Sequence, residues 1–323
     1  MPADNIDPEL LPFLEATLAA LPGFEAEGLG ELRAGLRALI DAASPSRPDT
    51  VRVEDVSVPG PTGDPDIAMR IYRPAATPNP IPALFWMHGG GMMIGSMDMD
   101  EALLVRAVEA FGFAVVSVEY RLAPEHPHPA PVEDCYAGLV WTEAHAPIYG
   151  IDPERIAVGG ASAGGGLAAG TALLARDRGG PKLIFQLLLE PMLDDRSTTF
   201  SSTQYDGTTV WDRNDNANGW SSLLGNLVGG EGVSPYAAPA RADDLVGLPP
   251  ALVDVGEVET FRDECIDYAR RLLGAGVPTE LHVYPGAFHG FDLIAPDSRL
   301  GRLAWGLRWA ALTRAFGMTQ NDA

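Results

Sequence analysis

Ile156-Ala157-Val158-Gly159-Gly160-Ala161-Ser162-Ala163-Gly164-Gly165-Gly166-Leu167 decides how this chain is read. A short apolar run leads into Ser162, and a glycine-rich segment opening a helix follows. In a strand–turn–helix elbow the central residue sits at strained dihedrals, and its neighbours must be small for the turn to close. The Ser162 hydroxyl then stands at the carboxyl end of a strand and beside a helix N-terminus, where negative charge is favoured. By itself G-x-S-x-G also fits an ordinary glycine-rich helix start. Its place directly after a short buried strand selects the elbow.

Upstream, His88-Gly89-Gly90-Gly91 follows the apolar run Ala83 to Met87. Consecutive glycines let backbone N–H groups face a cavity with no side chain in the way. The N–H groups of Gly90 and Gly91, with Gly89 close by, are the expected donors to a developing oxyanion. The N–H of Ala163, the residue after the serine, completes the set. One such donor typically contributes about 2.7–4 kcal/mol of transition-state stabilisation. His88 reads as a brace for its own loop.

A serine needs a base to become a useful nucleophile. Of the six histidines, His126 and His128 flank Pro127 in a proline-rich turn, His145 ends a helix and His282 lies in a strand. Only His289, in Pro285-Gly286-Ala287-Phe288-His289-Gly290-Phe291, sits on a loop after a late strand, where the order serine, acid, histidine requires the base. The acid should follow the run Ala251 to Val255. Glu257, Glu259 and Asp263 are the candidates, with Glu259 preferred. Together these parts point to acyl transfer, most simply ester hydrolysis. A neutral imidazole base implies activity rising through roughly pH 6–7.

Further out, Val51 to Val58 and Asp66 to Tyr72 alternate and suit an antiparallel edge pair. Six short apolar runs follow: Ala83 to Met87, Ala114 to Val118, Ile156 to Val158, Leu183 to Leu189, Ala251 to Val255 and Glu280 to Tyr284. Helical segments separate most of them, so the fold class is α/β, with a mostly parallel eight-stranded sheet flanked by helices. Before the sheet, Leu10, Leu11, Leu14, Leu18 and Leu21 form one helical face, and Leu29, Leu32, Leu36, Leu39 and Ile40 form another. Pro22-Gly23 breaks the two apart, and Ser44 to Pro48 is a linker. Residues from about 195 to 232 are polar and carry Tyr205, Trp211 and Trp220, the pattern of a lid over a pocket or of a surface excursion packed on the body. The expected division is a cap region, 1–48 and about 195–232, and a catalytic domain, 49–194 and 233–323.

Composition narrows the partners. The formal net charge of −22, with Lys182 the only lysine among 22 basic residues, repels nucleic acid and anionic membranes. No apolar run of about 18 residues occurs, so stable membrane insertion is not expected. The acidic N-terminus lacks the basic-then-apolar pattern of a secretory leader, and Cys135 and Cys265 read as free thiols, which together suggest the cytoplasm. No residue spacing calls for a metal or an organic cofactor.

The motifs also carry a family resemblance. His88 to Gly91, Tyr120-Arg121-Leu122-Ala123-Pro124-Glu125-His126, Pro131-Val132-Glu133-Asp134, Gly160 to Gly166, Ser234-Pro235-Tyr236-Ala237, Leu248-Pro249-Pro250-Ala251, Arg262-Asp263-Glu264 and Phe288-His289-Gly290-Phe291 resemble the hormone-sensitive-lipase-like branch of the α/β-hydrolase fold, the bacterial carboxylesterases. The chain departs from the family pattern at Ala161, where an aspartate is common, and at Glu259-Thr260-Phe261-Arg262-Asp263, where Asp-Pro-Leu-Arg-Asp is usual. Aligning Arg262-Asp263 places Glu259 at the acid position. Asp263 then reads as a structural ion-pair partner. The resemblance implies a serine esterase with Ser162, Glu259 and His289 as its triad. It also implies a cap-covered pocket for short- to medium-chain acyl esters, a small-molecule ester as partner, and a homodimer through an edge strand and neighbouring helix. An amidase or acyl transferase with the same triad, or a non-catalytic receptor on the same fold, are the alternatives.

Overall fold

Eight strands form one sheet in the computed structural model, which describes residues 5–20, 28–43, 47–76 and 80–318. They are β1 (Val51–Val58), β2 (Ile67–Pro74), β3 (Ile81–Met87), β4 (Ala114–Val118), β5 (Ile151–Ala161), β6 (Leu183–Leu189), β7 (Ala251–Val258) and β8 (Thr279–Phe288). Their order across the sheet is β1-β2-β4-β3-β5-β6-β7-β8. β2 runs antiparallel to both β1 and β4, and the pairings from β4 through β8 are parallel. The alternating runs thus lie at one edge and five of the apolar runs inside, as a sheet covered on both faces requires, while the sixth, Glu280 to Tyr284, falls in β8 at the opposite edge and is only partly buried.

β3 shows how the pleat divides the core. Ala83, Phe85 and Met87 point to one face, among residues of α4 (Ala130–His145), α5 (Ala163–Arg178) and α8 (Arg262–Gly274). Leu84 and Trp86 point to the other, with α3 (Glu101–Phe111) and α10 (Arg299–Ala315). All seven residues of β3 are buried. Cys135 and Cys265 are buried free thiols within α4 and α8.

Ahead of the sheet, Leu10 and Leu14, at and inside the start of α1 (Leu11–Ala20), are buried with Phe288 of β8 and with Phe291 of α9 (Phe291–Ile294). Leu18 is exposed, while Leu21 and the Pro22-Gly23 break lie outside the described residues. Helix α2 (Leu29–Ala43) packs Leu29 into the core, with Leu32 and Leu36 against it, and is also held by polar contacts. Arg33 donates to the carbonyls of Met93 and Ala123 at 2.7 and 2.9 Å and makes a two-pronged bond to Glu125. Arg37 pairs with Asp98. The polar stretch after β6 contains α6 (Phe200–Gln204) and α7 (Arg213–Leu224), the latter opened by a reciprocal capping box between Asp212 and Asp215.

Beneath the carboxyl ends of the strands, Arg308 of α10 is 1% exposed and bonds Asp254 at 2.6 Å. It also pairs with Asp292, and the Tyr284 hydroxyl donates to Asp254. Removing the one cation strands two buried carboxylates. Arg308→Met should therefore lower unfolding free energy by about 3–5 kcal/mol in urea titrations. A loss below about 1 kcal/mol would show that the cluster relaxes without it.

Candidate active site

Ser162 lies between the end of β5 and the start of α5, with φ +57° and ψ −121°. The left-handed φ is uncommon for a residue with a side chain and marks a constrained turn. The flanking glycines make the turn sterically possible. A Cβ on Gly160 would sit 2.4 Å from the Gly164 carbonyl oxygen, and one on Gly164 would sit 2.0 Å from the Met87 carbonyl oxygen. Any larger residue at either position collides with backbone.

The residues singled out by sequence come together around this turn. The Ser162 hydroxyl oxygen is 3.0 Å from His289 Nε2, and His289 Nδ1 is 3.3 Å from Glu259 Oε1. Ser162 and His289 are each 7% exposed and Glu259 is fully buried. Glu259 Oε2 also accepts from the Gly256 N–H at 3.2 Å, which fixes the carboxylate from behind. The competing acids lie elsewhere. Glu257 accepts from the Gly286 N–H at 2.9 Å, and Asp263 pairs with Arg262 and caps Ser201.

Gly89, Gly90 and Gly91 line the same cavity as Ser162. Gly90 and Gly91 have φ of +113° and +61°. Among the described residues, the N–H groups of Gly90, Gly91 and Ala163 donate to no backbone carbonyl outside regular helices and strands. A Cβ on Gly91 would lie 2.2 Å from the Trp211 ring, so the indole rests directly on the glycine loop. His88 braces that loop as expected. It stacks on Tyr120 at 4.2 Å, bonds the Gly89 carbonyl through Nδ1, and is pushed by burial down to about 4, so it stays neutral.

The cavity over Ser162 has a volume of about 700 Å³. Its walls come from α2 (Leu32, Leu36, Leu39), the glycine loop with Ile94 and Met99, Val210 and Trp211 from the polar insertion, and Leu293 and Ile294. Trp220 is fully buried away from the cavity, so of the insertion's two tryptophans Trp211 alone lines it. The insertion therefore supplies one wall and packs its other tryptophan into the body. A second cavity of about 550 Å³ lies between α3, α9 and α10 and shares Met99 and Leu293 with the first.

Sequence reasoning missed Glu190. It follows the apolar strand β6, is 2% exposed, and places Oε2 3.7 Å from His289 Nδ1. The available signal was a lone acid closing the apolar run Leu183 to Leu189, at the same sheet end as Ser162. Glu190, Glu259 and His289 also bring one potential ligand atom each within 4.8 Å of one another. The Gly256 and Gly290 N–H groups donate to the two carboxylates, and His289 Nε2 faces the Ser162 hydroxyl.

A family model for the α/β-hydrolase fold matches residues 84–293. The chain belongs to that family. It is 38% identical over 318 residues to the carboxylesterase NlhH of Mycobacterium tuberculosis, covering 96% of this chain and 97% of that protein. It is 32% identical to an arylesterase of Saccharolobus solfataricus, covering 88% and 92% of the two chains. Among solved structures, a bacterial heroin esterase superposes with a TM-score of 0.91 at 45% identity, covering 98% of this chain and 99% of the other. The chain is thus a carboxylic ester hydrolase of the hormone-sensitive-lipase-like branch, and the receptor alternative falls away.

His289 departs from the expectation of an ordinary imidazole. Burial opposes its protonation, but the charges of Glu190 and Glu259, the bond to Glu259 and the charge of Asp292 outweigh burial and push it up to about 9. A base works only when neutral, so a raised value delays activity to higher pH. The acid limb of kcat/KM for a p-nitrophenyl ester should lie clearly above pH 7, not at the 6–7 expected from sequence. A limb at or below pH 6.5 would show that the carboxylates do not act on the ring.

Proposed function

We propose that Ser162 is the nucleophile, His289 the general base and Glu259 its orienting acid, in the hydrolysis of short- to medium-chain acyl esters through an acyl-enzyme. The observation that carries this reading is the continuous chain Ser162 Oγ, His289 Nε2, His289 Nδ1, Glu259 Oε1, buried at the floor of an open cavity. Ser162 Oγ attacks the ester carbonyl carbon as its proton passes to His289 Nε2. The carbonyl oxygen takes up the electron pair and is met by the N–H groups of Gly90, Gly91 and Ala163, with Gly89 at the rim. His289 then protonates the leaving alcohol. Water repeats the sequence and frees the acid, while Glu259 holds the ring and never takes its proton.

The pocket argues for the substrate class. Its walls are mostly apolar, and among the described residues its lining contains no Arg or Lys to pair with an anionic substrate. A volume of about 700 Å³ suits a compact ester. Residues 1–48 and about 195–232 are read as the cap over this pocket, and the rest as the catalytic domain. The outer edge of β8, where Leu281 and Val283 are each more than a third exposed, supports a homodimer through that strand. Free buried thiols support a cytoplasmic setting. Among the described residues no helix is long and apolar enough to cross a membrane.

Ser162→Ala should reduce turnover of p-nitrophenyl acetate or butyrate by about five to six orders of magnitude. Retained turnover would put the nucleophile elsewhere. Glu259→Gln should lower kcat by several orders and Glu257→Gln by far less, because of these two Glu259 bonds the imidazole and Glu257 bonds the Gly286 N–H instead; the opposite ranking would reassign the acid. Esters should also be cleaved much faster than the matching anilides, and equal rates would favour an amidase.

A further inference from the structure

Glu190 occupies a position that ordinary packing does not explain. Its φ of +38° lies in the region that residues with side chains avoid. Its own N–H is tied to the Asp254 carbonyl at 2.7 Å. Its two carboxylate oxygens share one donor, the Gly290 N–H, at 3.1 and 3.0 Å. No Arg or Lys of the described residues pairs with it; the group within 4 Å that can carry positive charge is His289. A buried carboxylate so poorly supplied with donors is costly to keep unless a neighbour becomes cationic.

His289 is that neighbour, and it is approached by acids from three elements. Glu190 comes from the end of β6, Glu259 from the loop after β7, and Asp292 from α9. The remaining faces are the Ser162 hydroxyl and the rings of Phe261 and Trp211, at centroid distances of 5.2 and 6.4 Å. The 3.3 Å contact to Glu259 is long for a charge-assisted bond, so one carboxylate does not hold the ring alone.

We propose that Glu190 is a second positioning carboxylate for His289, acting beside Glu259 to steady the ring through Gly290 and to favour the imidazolium that forms as Ser162 gives up its proton. The inference rests on the roles assigned to Ser162 and His289 under Proposed function. The proton moves from Ser162 Oγ to His289 Nε2 as the Oγ–carbon bond forms, and the proton on Nδ1 stays there, between two carboxylates. Neither acid is consumed. Burial pushes the Glu190 carboxyl well up while the charge of His289 pulls it back down, and Glu190 and Glu259 raise His289 against its own burial, so each group favours the charged form of the other.

Glu190→Gln is the discriminating variant, since it keeps the size and an acceptor for the Gly290 N–H but removes the charge. With the charge gone, His289 loses its proton more readily. The acid limb of kcat/KM should move to lower pH by about one unit or more, and plateau kcat should fall about 10- to 100-fold with KM little changed. Glu190→Asp, which retains the charge, should restore the position of the limb. A limb within about 0.2 units of wild type in Glu190→Gln would overturn the proposal. The imidazole of His289 can also be titrated by NMR in the unmodified enzyme, so the idea stands or falls even if the Gln variant does not fold. A value near the free-imidazole 6.5 would overturn it. A fluorophosphonate label followed by peptide mapping separates the two readings. Label on Ser162 with an unmoved limb refutes only the role of Glu190, whereas label on another residue refutes the nucleophile itself.

Discussion

The active centre exists because the chain can reverse between β5 and α5 with no Cβ at Gly160 or Gly164. Both positions face backbone carbonyl oxygens at distances no side chain tolerates. That tight closure lays the head of α5 against the end of β3 and so brings Ser162 beside the glycine loop that β3 leads into. A Cβ on Gly89 would already touch the Ala161 carbonyl at 3.1 Å. The proposed nucleophile and oxyanion donors are therefore set by one packing event. The base arrives separately, from β8 three strands away from β5. Its position depends on the β6–β7–β8 ladder and on the acids that end β6 and follow β7.

Those acids give the site its electrostatic character. Asp254, Glu190, Glu259 and Asp292 crowd the carboxyl ends of the last strands, and Arg308 is the permanent cation buried with them. A site built in this way is poorly satisfied while His289 is neutral and better satisfied once it is cationic. In the proposed mechanism the reactive ring is neutral and becomes imidazolium as the serine is deprotonated, so the environment favours the transition state over that neutral form. The same excess explains why the resting ring binds a proton too readily. Strong stabilisation of the cation and a high operating pH are two consequences of one charge arrangement.

Much of this was legible because the chemistry-bearing residues obey local rules. The elbow could be read from small residues around Ser162, the donor loop from three glycines after an apolar run, and the base from its place after the last strand. Glu259 could be separated from Glu257 and Asp263 only by alignment to Arg262-Asp263, since local pattern does not say which acid turns inward. Glu190 escaped because its role is set by register across the sheet. Ser162 N–H bonds the Leu189 carbonyl, which puts the next residue of β6 beside the elbow. Nothing in the run Leu183 to Leu189 announces that pairing. The insertion was half legible for a related reason. Trp211 and Trp220 look alike in sequence, but one rests on Gly91 in the cavity wall and the other is sealed inside the body.

The pocket wall contributed by α2 answers to a different constraint. Leu39 is 65% exposed and Leu32 and Leu36 are only partly buried, an unfavourable arrangement for a helix on a water-facing surface. Part of the apolar face is left open because it lines the cavity, and the helix is secured by Leu29 in the core together with the Arg33 fork to Glu125 and two carbonyls. Those leucines present no charge, and the protein as a whole carries −22. A neutral ester meets no charge on that apolar face, and a net charge of this sign opposes retention of an anionic product.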